Sequence, residues 1–271
     1  MTDSAAGKPL PDDHAGAAPL ALWLRVPAAL SYGALRRLAA VLAWLLRVVV
    51  RFRVSVVRRN LRSCFPQMPK ELFEATVAQH YREMTEAGLE MFKLVDISAE
   101  ELRARVVFHN AAAMHSELAA GRPVMVLSAH LGNWEWLLQR IAVEFDVPFF
   151  VAYKPLRNAR FDRQLLALRS RFGAQLVSAK GLLRAVLRNR QPHVTGMLAD
   201  QMPISSPSRL WVDFFGLPTA FYPGPGEIAQ RVGYSAFFLA MRRVSASRYE
   251  VDVQPVAMAA EAVDAREFTR R

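Results

Sequence analysis

The chain has 271 residues, 52% of them hydrophobic, enough for one large α/β domain or two small ones and excluding disorder over most of its length. Its formal charge of +11 comes mostly from arginine, since lysine occurs only five times. Such an excess implies an anionic partner: a membrane surface, a phosphorylated substrate, an acidic carrier protein or nucleic acid.

Residues 1–19, rich in Ala, Pro, Gly and Asp, read as a disordered tail that contains His14. They lack the basic start and apolar core of a secretory signal. Residues 20–57 are apolar stretches studded with Arg25, Arg36, Arg37, Arg47, Arg51 and Arg53. The longest charge-free stretches, 26–35 and 38–46, fall short of the roughly 20 residues that span a bilayer. Two readings stand. One is an interfacial or tilted anchor, with Trp23 and Trp44 at headgroup level and arginines reaching phosphates. The other is an amphipathic helix packed on the domain. The Arg-flanked pattern favours the membrane, with the six arginines from Arg47 to Arg62 on the cytoplasmic side. Nucleic acid is disfavoured, because the basic run is interleaved with valines and carries no reader motif. The single cysteine, Cys64, forbids an internal disulfide, suits a reducing compartment and is expected to be buried and inert.

Residues 70–94 carry helical apolar spacing through Leu72, Phe73, Val77, Tyr81, Met84, Leu89 and Phe92. Ser98, followed by Glu100 and Glu101, opens another helix with a cap and an acidic first turn. A third is predicted over 111–120, ending at Gly121. Beyond it, strands are predicted at 124–128, 149–153, 175–178, 194–199, 236–242 and 249–255. Helices are predicted at 134–144, 158–172, 181–188 and 226–232. That alternation implies an α/β fold, a largely parallel sheet covered by helices.

The most informative stretch is Ser128-Ala129-His130-Leu131-Gly132-Asn133-Trp134-Glu135, between a buried strand and a helix. Strand ends are where open α/β sheets place chemistry. Residues five apart on a continuous helix are turned about 140° from each other. His130 and Glu135 therefore meet only if His130 lies in the turn before the helix. Glu135 would then accept a hydrogen bond from one ring nitrogen and leave the other free to take a proton, the arrangement of an oriented general base. The plainer reading is a capping or packing pair.

Other signals are weaker. Gly224-Pro225-Gly226-Glu227 formally resembles a dinucleotide loop, but Pro225 has no amide for a phosphate, so a helix start with close backbone packing is expected. Gly-x-Ser-x-Gly and His-Glu-x-x-His are absent from the sequence. With one Cys and scattered histidines no metal site is expected. His80, His109, His115 and His193 read as ordinary surface or helix residues.

His-x-x-x-x-Glu filled with Leu-Gly-Asn-Trp resembles the signature of the late acyltransferases of lipid A biosynthesis, within the wider lysophospholipid and glycerolipid acyltransferase superfamily. Similar landmarks follow in order: Arg59-Asn60-Leu61-Arg62 through Pro66, Tyr153-Lys154-Pro155, Arg169-Ser170-Arg171, Asp200-Gln201, and Phe214-Phe215-Gly216-Leu217-Pro218. The resemblance spans roughly residues 20 to 255. It implies a glycerolipid-acyltransferase-like fold in three parts: the tail (1–19), a membrane-associated helical segment (20–57) and an acyltransferase domain (58–271). It further implies transfer of a fatty acyl group from acyl-carrier protein or acyl-CoA to a hydroxyl of a lipid A precursor, at the cytoplasmic face of a bacterial inner membrane, without a cofactor. His130 would be the base and Glu135 its orienting carboxylate.

Arg169 and Arg171 would clamp phosphates, or merely solvate a helix end. Lys154 would meet phosphate as a point charge where the family has Arg. Asp200 would orient Arg169 or a substrate hydroxyl, or form a turn. Amides near Gly132 and Asn133, or Arg169, would receive the oxyanion. Another acceptor such as a lysophospholipid stays open, as does a non-catalytic basic protein of the membrane surface. The family usually continues to a segment resembling Pro-x-Gln-Trp-x-Trp, whereas this sequence stops at Arg271. The expectation is a shortened chain of reduced stability, or one leaning on bilayer or subunit contacts.

Overall fold

The computed structural model describes residues 21–201, 209–261 and 263–271; the expected tail lies outside them. In chain order the helical N-terminal part holds α1 (Leu22–Ala28), α2 (Tyr32–Trp44), a π-helical turn (Leu45–Val49), α3 (Val54–Cys64), α4 (Lys70–Glu90) and a 3-10 turn (Met91–Val95). Then come α5 (Ala99–Arg105), β1 (Val106–His109), α6 (Ala112–Ala119), β2 (Val124–Ser128), α7 (Trp134–Glu144), β3 (Phe149–Tyr153), α8 (Ala159–Arg169), β4 (Ala174–Ser178), α9 (Leu182–Arg188) and β5 (Val194–Leu198). The remainder is β6 (Leu210–Phe214), β7 (Leu217–Phe221), α10 (Gly224–Val232), β8 (Ser235–Ser245), β9 (Arg248–Ala257) and α11 (Ala265–Arg270).

Every residue of β2 is buried, as a strand covered on both faces requires. It lies at the middle of a seven-stranded sheet of order β1-β9-β8-β2-β5-β3-β4. All neighbours are parallel except β8 and β9, which form an antiparallel hairpin. The core is built from Trp136, Leu137 and Ile141 of α7 against Val126, Phe149, Val194 and Phe237 of the sheet. The α/β reading holds. β1, the separate β6–β7 hairpin and α11 were not foreseen. α8 stops at Arg169, short of the predicted Phe172, and the chain turns at Gly173 with φ +94°. Cys64 is half-buried rather than buried, and His193 is buried rather than on the surface.

The N-terminal helices pack one face on the domain and leave another exposed. Leu24, Ala28, Leu35, Ala39 and Ala43 are buried. The small Ala39 lets α2 approach α4 closely enough for Thr85 Oγ1 to donate to the Ala39 carbonyl at 3.0 Å. The opposite face leaves Trp23, Val26, Leu38, Val41 and Trp44 exposed. Among the described residues no single helix is long and apolar enough to cross a membrane. α1 and residues 32–49 pass that test only together, and they are bent by 106°. At Gly226 an added Cβ would meet the Ala265 carbonyl oxygen at 2.8 Å, so the glycine of the Gly-Pro-Gly segment admits α11 against the start of α10.

Candidate active site

Register places the first two functional side chains. Ser128 and Leu198 are paired at the ends of β2 and β5, so the residues two positions beyond each, His130 and Asp200, emerge side by side. Asp200 Oδ1 lies 2.7 Å from His130 Nδ1, and Oδ2 accepts the His130 backbone N–H at 2.9 Å. Burial alone would raise the Asp200 pKa, but the hydrogen bonds from the His130 ring and backbone outweigh it and hold the carboxyl below its ordinary value. An ionised Asp200 makes Nδ1 the protonated nitrogen and leaves the Nε2 lone pair as the basic site. Trp134 packs edge-on against the imidazole, ring centroids 5.2 Å apart.

This corrects the expected pairing of His130 with Glu135. Glu135 is buried in the first turn of α7, and its carboxylate takes a two-pronged hydrogen bond from Arg169, Nε to Oε2 at 2.9 Å and Nη2 to Oε1. A buried carboxylate needs a cation, and the guanidinium fork at the end of α8 supplies two parallel donors. Asp200 already holds the imidazole at both its ring and its backbone. Asp200 was expected to orient Arg169 or a substrate hydroxyl, or to form a turn; it meets His130 instead, and Glu135 takes Arg169. Gln139 fixes the end of α8 from below, donating to the Arg169 carbonyl at 2.6 Å.

The His130 and Glu135 side chains open on one cavity of about 630 Å³. Its inner wall is apolar, with Val126, Leu137, Ile141, Phe149, Leu176 and Gly196 drawn from the sheet and α7. Its mouth carries Lys154, Arg157, Arg169 and Gln201, with exposed Leu156 and Leu198. Asp162 holds the 154–158 segment in place, accepting from the Tyr153 hydroxyl and from the Leu156 N–H at 2.8 Å.

Three residues expected to bind substrate are placed elsewhere. Arg171 Nη1 donates to the carbonyls of Leu94 and Ile97 at 2.9 and 2.6 Å, tying the end of α8 to the turn before α5. Asn133 is buried and caps α7, its side chain accepting from the Trp136 N–H at 3.1 Å. Gly132, at φ +56°, faces the opposite way: an added Cβ would meet Met241 Cγ at 3.1 Å. Neither Gly132 nor Asn133 lines the cavity.

Residues 14–271 match the bacterial lipid A biosynthesis acyltransferase family. The chain belongs to that family. It is similar to a phosphatidylinositol mannoside acyltransferase of Mycolicibacterium smegmatis, 27% identical over 67% of this chain and 60% of that protein. It is also similar to a lipid A biosynthesis acyltransferase of Haemophilus influenzae, 21% identical over 72% of this chain and 62% of that protein. The chain thus spans about six-tenths of the length of these relatives.

The group that anchors the His130 turn was not foreseen. Glu90, buried at the end of α4, accepts from Asn133 Nδ2 at 3.0 Å, the Tyr249 hydroxyl at 2.5 Å, Ser247 Oγ at 2.8 Å and Arg243 Nη1 at 3.0 Å. Its backbone carbonyl takes the Trp136 indole N–H at 2.9 Å. Burial, and then the Glu90 charge, push the Tyr249 phenol far above its ordinary pKa. The one available signal was an acidic residue standing between Leu89 and Met91 in an apolar stripe.

Proposed function

We propose that this acyltransferase moves a fatty acyl group from a thioester to a hydroxyl of a lipid A precursor, with His130 as general base. Acyl-carrier protein is the donor favoured by the basic surface, since it is acidic, and acyl-CoA is the alternative. The observation that carries the reading is the His130–Asp200 pair at the mouth of an apolar cavity. Nε2 takes the acceptor hydroxyl proton as the oxygen attacks the thioester carbonyl. The tetrahedral intermediate then collapses, the carbon–sulfur bond breaks, and the imidazolium returns the proton to the departing thiolate. Asp200 steadies the imidazolium without taking its proton. Arg169 spends Nε and Nη2 on Glu135, and its Nη1 has no hydrogen-bond partner among the described residues. In this reading that N–H serves the oxyanion, and Glu135 acts by holding the guanidinium in place.

The apolar wall suits the acyl chain, while Lys154 and Arg157 suit phosphates at the mouth. One relative is named for phosphatidylinositol mannoside and the other for lipid A biosynthesis, and a phosphate-bearing glycolipid acceptor suits the basic mouth. The exposed face of α1 and α2, with its arginines, supports working at the cytoplasmic face of an inner membrane. Mass spectrometry of the host's lipid A with and without the gene tests the acceptor. Loss of one acyl chain on deletion is expected, and an unchanged lipid A profile overturns the reading. Purified protein offered acyl-carrier-protein and acyl-CoA thioesters side by side identifies the donor.

A further inference from the structure

The β6–β7 hairpin lies outside the acyl-transfer machinery proposed above, yet it displays several exposed aromatic rings. Trp211 is 61% exposed, Phe214 50% and Phe215 55%. Phe214 and Phe215 meet edge-on at 4.7 Å, and Phe215 meets Phe65, itself exposed just beyond α3, at 5.4 Å. The hairpin thus continues the surface of the N-terminal helices. Its loop is Phe215-Gly216, with φ +56° and +71°, the two-residue turn that calls for Asn-Gly or Gly-Gly. A phenylalanine in the left-handed region is strained. The turn is nonetheless held, with Asp213 Oδ1 accepting the Gly216 N–H at 2.9 Å. Strain retained at an exposed tip needs a return, and display of an aromatic ring is the visible one.

Charge indicates what meets that tip. Residues 21–70, which reach the hairpin through Phe65, hold nine arginines and one lysine and neither Asp nor Glu. Arg209 stands exposed at the foot of β6. Asp213 at the turn and Glu74, which pairs with Arg58, are the acidic side chains against this region, and the arginines outnumber them. Exposed aromatic rings beside a predominantly cationic surface complement an anionic bilayer, where rings enter the headgroup region and arginines meet phosphates. We propose that the hairpin is a second membrane contact, in which Phe214 and Phe215, with Phe65 behind them, enter the headgroup layer of the bilayer that α1 and α2 lie on. This rests on the membrane reading of residues 20–57.

The test uses the full chain in a C64S background, carrying an environment-sensitive fluorophore at F215C or, separately, at V41C on α2. Vesicles are phosphatidylethanolamine with phosphatidylglycerol. The expected result is a blue shift at both sites, and roughly tenfold weaker vesicle binding by F214S/F215S, because binding scales with buried apolar area. F215W, which keeps an interfacial ring, should retain binding and carries the test together with the labels if the double variant fails to fold. A label at 215 that stays water-like while one at 41 responds overturns the hairpin contact alone. If neither responds, both readings fall. A shift at 215 that needs no vesicles and grows with protein concentration also overturns the proposal, since a second copy then occupies the patch.

Discussion

Asp200 grips His130 twice, through the ring at 2.7 Å and through the backbone N–H at 2.9 Å. One side chain therefore sets both the tautomer of the imidazole and the position of the turn that carries it. H130A should lower kcat by at least the roughly 10²-fold of a lost general base, with folding retained. D200N should lose kcat with little change in KM, because an amide can hold the turn yet no longer supports the imidazolium. Steady-state kinetics on the purified variants decide this. Unchanged acyl transfer by H130A removes the mechanism, and full activity in D200N returns the orienting role to another group.

The Glu135–Arg169 pair should behave as a unit. Removing one partner leaves a buried or half-buried charge alone, which costs about 3 kcal/mol or more. E135A and R169A should each lower the denaturation midpoint, and the double variant should cost clearly less than their sum. A double-mutant cycle by chemical denaturation in detergent measures the coupling. Strict additivity would show that the two side chains do not depend on each other. R169K should keep most of the stability but lose activity, since an ammonium cannot span both carboxylate oxygens and still offer a directed N–H.

Much of this site was legible in the sequence, but not its wiring. A five-residue apolar run ending in Ser128 and followed by His130 marks a buried strand with chemistry at its end, and the α7 boundaries follow from the same pattern. Nothing local shows that Leu198 pairs with Ser128, and that register decides that Asp200 reaches the imidazole across 70 positions. Arg169 and Arg171 look alike in sequence. Two residues apart at the end of a helix, one meets Glu135 and the other meets backbone carbonyls. β1 escaped notice because it is four residues long and follows α5 with no turn residue between them. β6 and β7 escaped because Pro218 and Gly216 break the alternation that marks a hairpin.

Glu90 links Asn133, Ser247, Arg243 and Tyr249, so its loss would strand several buried polar groups together. E90A should destabilise by roughly 3–5 kcal/mol, the range for breaking a buried charged network. E90Q, which keeps the shape and one acceptor, should lose less stability and still lower kcat, because the Asn133 cap under the His130 turn loosens. A thermal scan paired with kinetics checks both. A stable E90A protein with wild-type kcat would show the network to be dispensable.

Acid sensitivity has an identifiable source away from the site. Glu117 takes two hydrogen bonds from Arg122, at 2.7 and 2.6 Å, and one from Ser235 Oγ at 2.6 Å, which together hold its pKa at about 2. A folded-state pKa below the unfolded one contributes stability that is fully present above the unfolded value. That contribution fades as the pH falls from about 4.5 towards 2. Allowing for the half-exposed Arg122, it is of order 1–2 kcal/mol. Urea midpoints between these pH values should fall less steeply for E117Q than for the parent. Parallel curves would assign the acid sensitivity elsewhere.

The depth of the cavity should set the length of the transferred chain, and Gly196 is the place to test it. It sits in β5 between Val126 of β2 and Val151 of β3, where any side chain but hydrogen would enter the cavity wall. An added Cβ would meet the Phe149 ring at 3.0 Å from Cε2 and 3.1 Å from Cζ. Alanine favours a strand interior over glycine, so G196A should fold, with the Phe149 ring displaced into the space at the bottom. Each methylene that loses its place forfeits about 0.8 kcal/mol, so two carbons correspond to roughly a tenfold change in relative kcat/KM. Donors of graded length, offered in competition and read by mass spectrometry of the product, should show preference moving to the shorter chain in G196A. A profile identical to the parent's would mean that the acyl chain lies elsewhere, and that this cavity serves another part of the substrate.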